Sequence, residues 1–310
     1  MGAQRSEDLV AAFDALFGGH PGVRAAHAKG TCCEATFTAT PEAAGLTRAP
    51  HMQGAPVRAT VRFSNGSGDP TAHDAGREPR GMAVKFALDG RKATDLVSVT
   101  QPVFVVRTAE EFVEFLHLRV PDPETGRLDL DALGAFVAAR PEATRAAEFL
   151  LAAPPLASFL QAQYYAMHAF RFVAADDRAR FGRYRWEPDL GVATLTKEDA
   201  RGRAPDYLFA DLVARLNEGS ASFTLQIQLA GEGDDPTDPT QEWPADRHQF
   251  VAGRLEITAP VADQDRDCER MIFDPMRLCD GIEASDDPIL HARPGAYAVS
   301  SARRAKAGPQ

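Results

Sequence analysis

The alternation of apolar and polar positions divides this chain into elements of two kinds. Val57 to Phe63 alternates residue by residue, which predicts a strand with one buried face. Met82 to Leu88, Leu96 to Val106, Tyr165 to Val173, Phe181 to Trp186, Phe223 to Leu229 and Gly253 to Ile257 predict further strands. Glu7 to Leu16 instead places Leu9, Val10, Phe13 and Leu16 at helical spacing, and Gly18-Gly19 ends that helix. From Ala109 to Leu160 the texture is helical. Its pieces run from Glu110 to Leu116, Leu128 to Ala139 and Glu142 to Leu151, broken at Pro141 and Pro154-Pro155. A last helix is predicted around Tyr207 to Leu216. Asn65 to Arg77 and the acidic stretch Gly231 to Pro239 carry the Gly, Asp and Pro content of loops, and Ala302 to Gln310 is expected to fray. About eight strands with helical insertions make an α+β pattern, antiparallel by preference. Periodicity does not say whether the sheet closes.

Composition narrows the picture. The chain has 310 residues, 44% of them hydrophobic, enough to bury a large core. We expect a single domain over 1–310, with its core at roughly 20–305. A net charge of -10 and a pI near 5.3 leave no basic surface for nucleic acid and disfavour an anionic membrane. No apolar run approaches the ~18 residues of a membrane span. Arg5, Glu7, Asp8 and Asp14 interrupt the N-terminus, so it does not read as a signal peptide, and a cytoplasmic location is expected. Met1-Gly2 with Ser6 fits the outline of an N-myristoylation signal, a pattern too short and common to decide anything. Cys32, Cys33, Cys268 and Cys279 form no Cys-x-x-Cys pair. Four reduced or buried thiols are expected, with a peroxide-reactive Cys32–Cys33 pair as the alternative.

Two short runs carry candidate chemistry. Tyr297 stands four residues after Arg293 in Arg293-Pro294-Gly295-Ala296-Tyr297, on one face of any helix there. A phenol keeps its proton up to pH ~10, but a fixed guanidinium beside it favours the anion, which ferric iron can use. Far upstream, Arg24-Ala25-Ala26-His27-Ala28-Lys29-Gly30 offers an imidazole. Together they suggest a haem with phenolate on one side and histidine on the other, and tyrosine is a rare axial haem ligand used by catalases.

Other runs, in order, are Val61-Arg62-Phe63-Ser64, Pro79-Arg80-Gly81-Met82-Ala83-Val84-Lys85-Phe86, Asp95-Leu96-Val97, Pro102-Val103-Phe104, Phe273-Asp274-Pro275 and Gly281-Ile282-Glu283. In order and spacing the chain resembles the haem catalases over roughly residues 20 to 305. The resemblance implies an eight-stranded antiparallel β-barrel with haem b between barrel and helices. It implies that Tyr297 ligates the iron and that His27 is the distal acid–base group, oriented by Ser64. Arg24, Arg62 and Arg304 match arginines that pair with haem propionates. His168 and Asp287 match a relay to Arg293, Phe112 an aromatic against the porphyrin, and Phe104 lies in the same wall. Asp287 equally suits a turn cap before Pro288.

The family's catalytic asparagine is replaced by Val99, which has no hydrogen bond to donate; losing such a donor costs ~10²–10³ in rate elsewhere. Thr100 or Gln101 is the conceivable substitute. Ala26 stands where many members carry a larger residue. Both changes widen the distal pocket and make it more apolar. The expectation is therefore a haem peroxidase acting on organic hydroperoxides through a small-molecule reductant, with residual catalase activity. A fatty-acid hydroperoxide rearrangement, as in the allene oxide synthases that share the scaffold, is the alternative enzyme. A haem carrier or peroxide sensor is the alternative without turnover. The family's long tetramer-knitting arms have no counterpart here, so a smaller assembly such as a homodimer is expected.

Overall fold

The computed structural model describes residues 2–307. In chain order its elements are α1 (Gly2–Phe17), β1 (Gly30–Ala39), α2 (Pro41–Leu46), β2 (Val57–Asn65), β3 (Arg80–Ala87) and β4 (Ala93–Val99). There follow α3 (Ala109–His117), α4 (Leu130–Ala138), α5 (Pro141–Ala152), β5 (Tyr164–Tyr165), β6 (Phe170–Val173) and β7 (Ala179–Pro188). The chain continues with α6 (Lys197–Arg201), α7 (Tyr207–Glu218), β8 (Ala221–Leu229), β9 (Gln249–Pro260), β10 (Ile282–Ala284) and α8 (Pro288–Ala307).

The strands run in the order β7-β5-β4-β3-β2-β1-β9-β8, and β7 pairs again with β8. The sheet therefore closes into an eight-stranded antiparallel barrel, with no open edge left along that circuit. β6 and β10 prolong the sheet beside β7. Alternation sends Phe37, Phe63, Phe86, Trp186, Phe223 and Leu255 inward, all fully buried in the main core.

The outward set on β1 to β4 builds two rows across four strands. One reads Gly30, Ser64, Gly81, Val99; the next reads Cys32, Arg62, Ala83, Val97. Facing them is a helical layer in which Leu9 and Ala12 of α1 pack with Leu116 of α3, against Phe13, Phe112 and Ala296. Gly295 makes the α1–α8 contact possible, because a Cβ there would lie 2.1 Å from Ser6 Oγ.

Several sequence-based expectations need correcting. The strand begun at Leu96 stops at Val99, since Pro102 has no amide to continue the ladder. Tyr165 to Val173 is two strands, and the interruption carries His168. β1 had no sequence signal, yet it lies between β2 and β9. Pro141 opens α5 at its first turn as well as ending what precedes it. Residues 302–307 continue α8, where Arg304 donates to the Glu269 carbonyl at 2.6 Å; 308–310 lie outside the described residues. The four-thiol reading is overturned: Cys32 and Cys268, 236 positions apart, form a disulfide across a Cα separation of 5.5 Å. Cys33 and Cys279 are free, so the Cys32–Cys33 pair does not form.

Candidate functional site

The barrel's outer rows and the helical layer enclose a cavity of about 450 Å³. His27, Ser64, Val99, Phe104, Phe112, Arg293 and Tyr297 all line it, as do Arg24, Arg62 and Arg304. His168 and Asp287 stand behind the wall, fully buried.

On one side, His27 adopts a left-handed backbone (φ 54), unusual for a residue other than glycine. Its amide donates to the Gly66 carbonyl at 3.2 Å and its carbonyl accepts from Arg62 at 3.0 Å, which holds that conformation. Its Nδ1 lies 3.0 Å from Ser64 Oγ. Burial, then the positive fields of Arg62 and Arg293, push its pKa down to about 3, so the imidazole is neutral at pH 7. Gly81 makes the arrangement possible. A Cβ at that position would come within 2.6 Å of Ser64 Oγ and 2.9 Å of His27 Nδ1. The sequence places Gly81 in a motif without giving it a part, which only the strand register reveals.

On the other side, α8 presents Arg293 and Tyr297 one turn apart. The guanidinium donates to the phenolic oxygen from Nε at 3.0 Å and from a terminal nitrogen at 2.5 Å. Its other terminal nitrogen meets His168 Nε2 at 2.9 Å. Guanidinium has only donors, so Nε2 must accept, and the His168 proton sits on Nδ1, aimed at Asp287 Oδ2 at 2.6 Å. Burial lowers the His168 pKa despite the opposing carboxylate, which keeps the ring neutral. Asp287 Oδ1 accepts from the amides of Ile289 and Leu290 at 2.8 and 3.2 Å. Asp287 thus bonds His168 through one oxygen and the opening amides of α8 through the other.

Arg24, Arg62 and Arg304 converge on a single carboxylate neighbourhood. Arg24 pairs with Glu269 and donates to the carbonyls of Cys268 and Met271 at 3.0 Å each. Arg62 lies 3.6 Å from the same carboxylate. Arg304 donates to the Glu269 backbone carbonyl at 2.6 Å, so three cations gather around one carboxylate that pairs with two of them, an excess of two positive charges. Burial and mutual repulsion push Arg62 down to about 9 and Arg304 to about 10. The Nε atoms of both are buried without a hydrogen-bond partner. Such a cluster is short of negative charge and suits a ligand with two carboxylates. Gly30 keeps the wall shallow, since a Cβ there would lie 2.3 Å from Arg62 Cζ.

Phe112 packs at a tilt against Phe104 at 4.8 Å and edge-on to Phe13 at 5.8 Å, an apolar wall rather than a polar contact. Val99 lies opposite Gly81 and faces the cavity without a donor. Of the two proposed substitutes, only Gln101 lines this cavity, and its amide is already engaged. Thr100 Oγ1 accepts from the Arg80 amide and lines a different pocket, while Gln101 gives its amide to the Ala146 carbonyl at 3.2 Å.

The family model described as catalase matches residues 21–310. The chain belongs to the catalase family. It is 39% identical over 300 residues to a catalase-related peroxidase of Mycolicibacterium paratuberculosis, covering 96% of this chain and 94% of that one. The corresponding protein of Synechococcus elongatus is 33% identical, with 97% and 88% covered. A fungal catalase superposes with a TM-score of 0.84 at 26% identity over 92% of this chain; the match spans 60% of that longer chain. Family membership makes the protein a peroxide-acting oxidoreductase, a catalase-like peroxidase from a family that generally binds haem.

Proposed function

We propose that this catalase-family protein is a haem b peroxidase that reduces organic hydroperoxides and turns over hydrogen peroxide only weakly. The observation that carries the reading is the unbroken chain Asp287–His168–Arg293–Tyr297, which ends at a phenolic oxygen in the cavity that also holds His27. Bound there, haem supplies the iron chemistry that cleaves a peroxide O–O bond. Tyr297 Oη is its ligand in this reading, held in position by two hydrogen bonds from Arg293. Asp287 and His168 hold the guanidinium in place. Arg24, Arg62 and Arg304 receive the two propionates, whose charge matches the excess of the cluster.

His27 moves the proton. With Nδ1 held by Ser64, Nε2 takes a proton from one peroxide oxygen and returns it to the leaving one. A proton shuttle is of no use to a mere carrier, so this pair argues against a sensor. Val99, Ala26 and the Phe104–Phe112 wall favour a substrate with an apolar body, since buried apolar area contributes ~25 cal/mol per Å². A small-molecule reductant completes the cycle.

The test uses hemin-loaded protein, cumene hydroperoxide or hydrogen peroxide, and an oxidisable dye. Dye oxidation should be markedly more efficient with cumene hydroperoxide, and oxygen release from hydrogen peroxide slow. Rapid oxygen release with no dye oxidation would reverse the assignment. One observation favours the fatty-acid hydroperoxide reading: the Arg119 guanidinium on the cavity wall lies over the Phe115 ring at 5.5 Å and makes no hydrogen bond or close ion pair among the described residues, with Glu78 acting on it only through its field. A carboxylated substrate would suit it. Epoxide formed without donor consumption would establish that route.

A further inference from the structure

The Cys32–Cys268 bond lies directly behind the cavity wall. Ala83, Val97, Met271 and Phe273 pack around its buried sulfurs and line the cavity too. Cys32 is the strand partner of Arg62, and Cys268 precedes Glu269. The short segment 268–271 holds the arginine cluster from behind. Its carboxylate pairs with Arg24 and Arg62, and its carbonyls accept from Arg24 and Arg304. Further ties of the preceding residues to the barrel also meet at Cys32. The Val261 amide donates to the Cys32 carbonyl at 3.0 Å, and the Gln264 side chain bonds both the amide and the carbonyl of Cys32 at 2.9 Å. Without the disulfide, only non-covalent contacts hold in place the segment that positions three arginines.

We propose that Cys32 and Cys268 are a redox-modified pair that sets how tightly the arginine cluster holds the carboxylates of the cofactor. The disulfide is the retaining state and the dithiol the releasing one. The inference rests on the cluster being the cofactor-carboxylate site. The oxidant is the hydroperoxide the protein acts on. One thiolate attacks the outer peroxide oxygen, the O–O bond breaks, an alcohol leaves and a sulfenic acid forms; the second thiol then displaces water as the S–S bond closes. Two electrons from sulfur thus reduce one hydroperoxide to alcohol and water. Reversal consumes two equivalents of a low-molecular-weight thiol, which ends as its own disulfide. In a reducing compartment such a bond persists only while oxidant is present. Both sulfurs are fully buried behind Ala83, Val97, Met271 and Phe273, so exchange requires that these wall residues move aside.

The test follows hemin transfer to excess apomyoglobin by absorbance. It compares oxidised wild type, thiol-reduced wild type, the double variant Cys32→Ser/Cys268→Ser and the control Cys279→Ser. Loss of the bond should speed hemin release about tenfold, the usual scale for removing support from behind a ligand group. The control should match oxidised wild type. In parallel, reduced apoprotein treated with one equivalent of cumene hydroperoxide should regain a Cys32–Cys268-linked peptide on a non-reducing map. Should the double variant misfold by circular dichroism, reduced wild type decides. Unchanged release rates, or no linked peptide after peroxide, overturn the inference while the peroxidase reading stands. Wild type that binds no hemin sinks the cofactor assignment and this inference together.

Discussion

At the scale of single residues, the site works by keeping its histidines neutral and its arginines charged. His27 stays unprotonated down to about pH 3 because burial and nearby cations oppose a second positive charge. Peroxidase kcat/KM should therefore be flat between about pH 5 and 8, where an ordinary histidine of pKa ~6.5 would titrate. An acidic limb near pH 6.5 would show that His27 is not the proton shuttle. Val99→Asn tests the distal wall: it faces the cavity where the amide is missing, so oxygen release from hydrogen peroxide should rise by at least about tenfold. Tyr297→Phe removes the oxygen that accepts twice from Arg293, and should alter or abolish the hemin spectrum of the purified protein. Most of these residues were legible as motif members. Gly30 and Gly81 stood in those motifs without a legible part, because an absent side chain matters only once its neighbours are in place.

At the scale of elements, α8 carries the most. It opens on Asp287, presents Arg293 and Tyr297 to the cavity, contains Pro294, and ends near Arg304 at the anion cluster. Its helical spacing was readable, but its contact with α1 was not. Gly295→Leu should force α1 off α8 at Ser6, costing roughly 1–3 kcal/mol by overpacking. Thermal unfolding checks this, and an unchanged Tm would mean the two helices are not seated as described. The same contact forms part of the cavity's helical layer, so hemin affinity should fall along with Tm.

For the whole molecule, closure of the barrel commits buried histidines to neutrality. His51 lies in the core, stacked on Phe86 at 4.7 Å, and burial pushes its pKa down to about 4. The unfolded chain takes up this proton near pH 6.5 and the folded one only near pH 4. Stability is therefore fully present above pH 6.5 and is lost as pH falls through that window, by on the order of 3 kcal/mol for this group. His51→Phe should flatten the Tm–pH curve between pH 6.5 and 4, and a curve as steep as wild type would contradict the assignment. Local order in the chain determined the amphipathic helices, most strands, the Arg293–Tyr297 spacing and the ordered motifs of a catalase. These are properties of neighbours within a few positions, which period and spacing record. Only the tertiary structure decided that β7 meets β8 to close the barrel that the resemblance implies, and that Arg24 and Arg62 share the Glu269 carboxylate. It alone joined Cys32 to Cys268, because such contacts unite positions far apart along the chain and no local pattern encodes them.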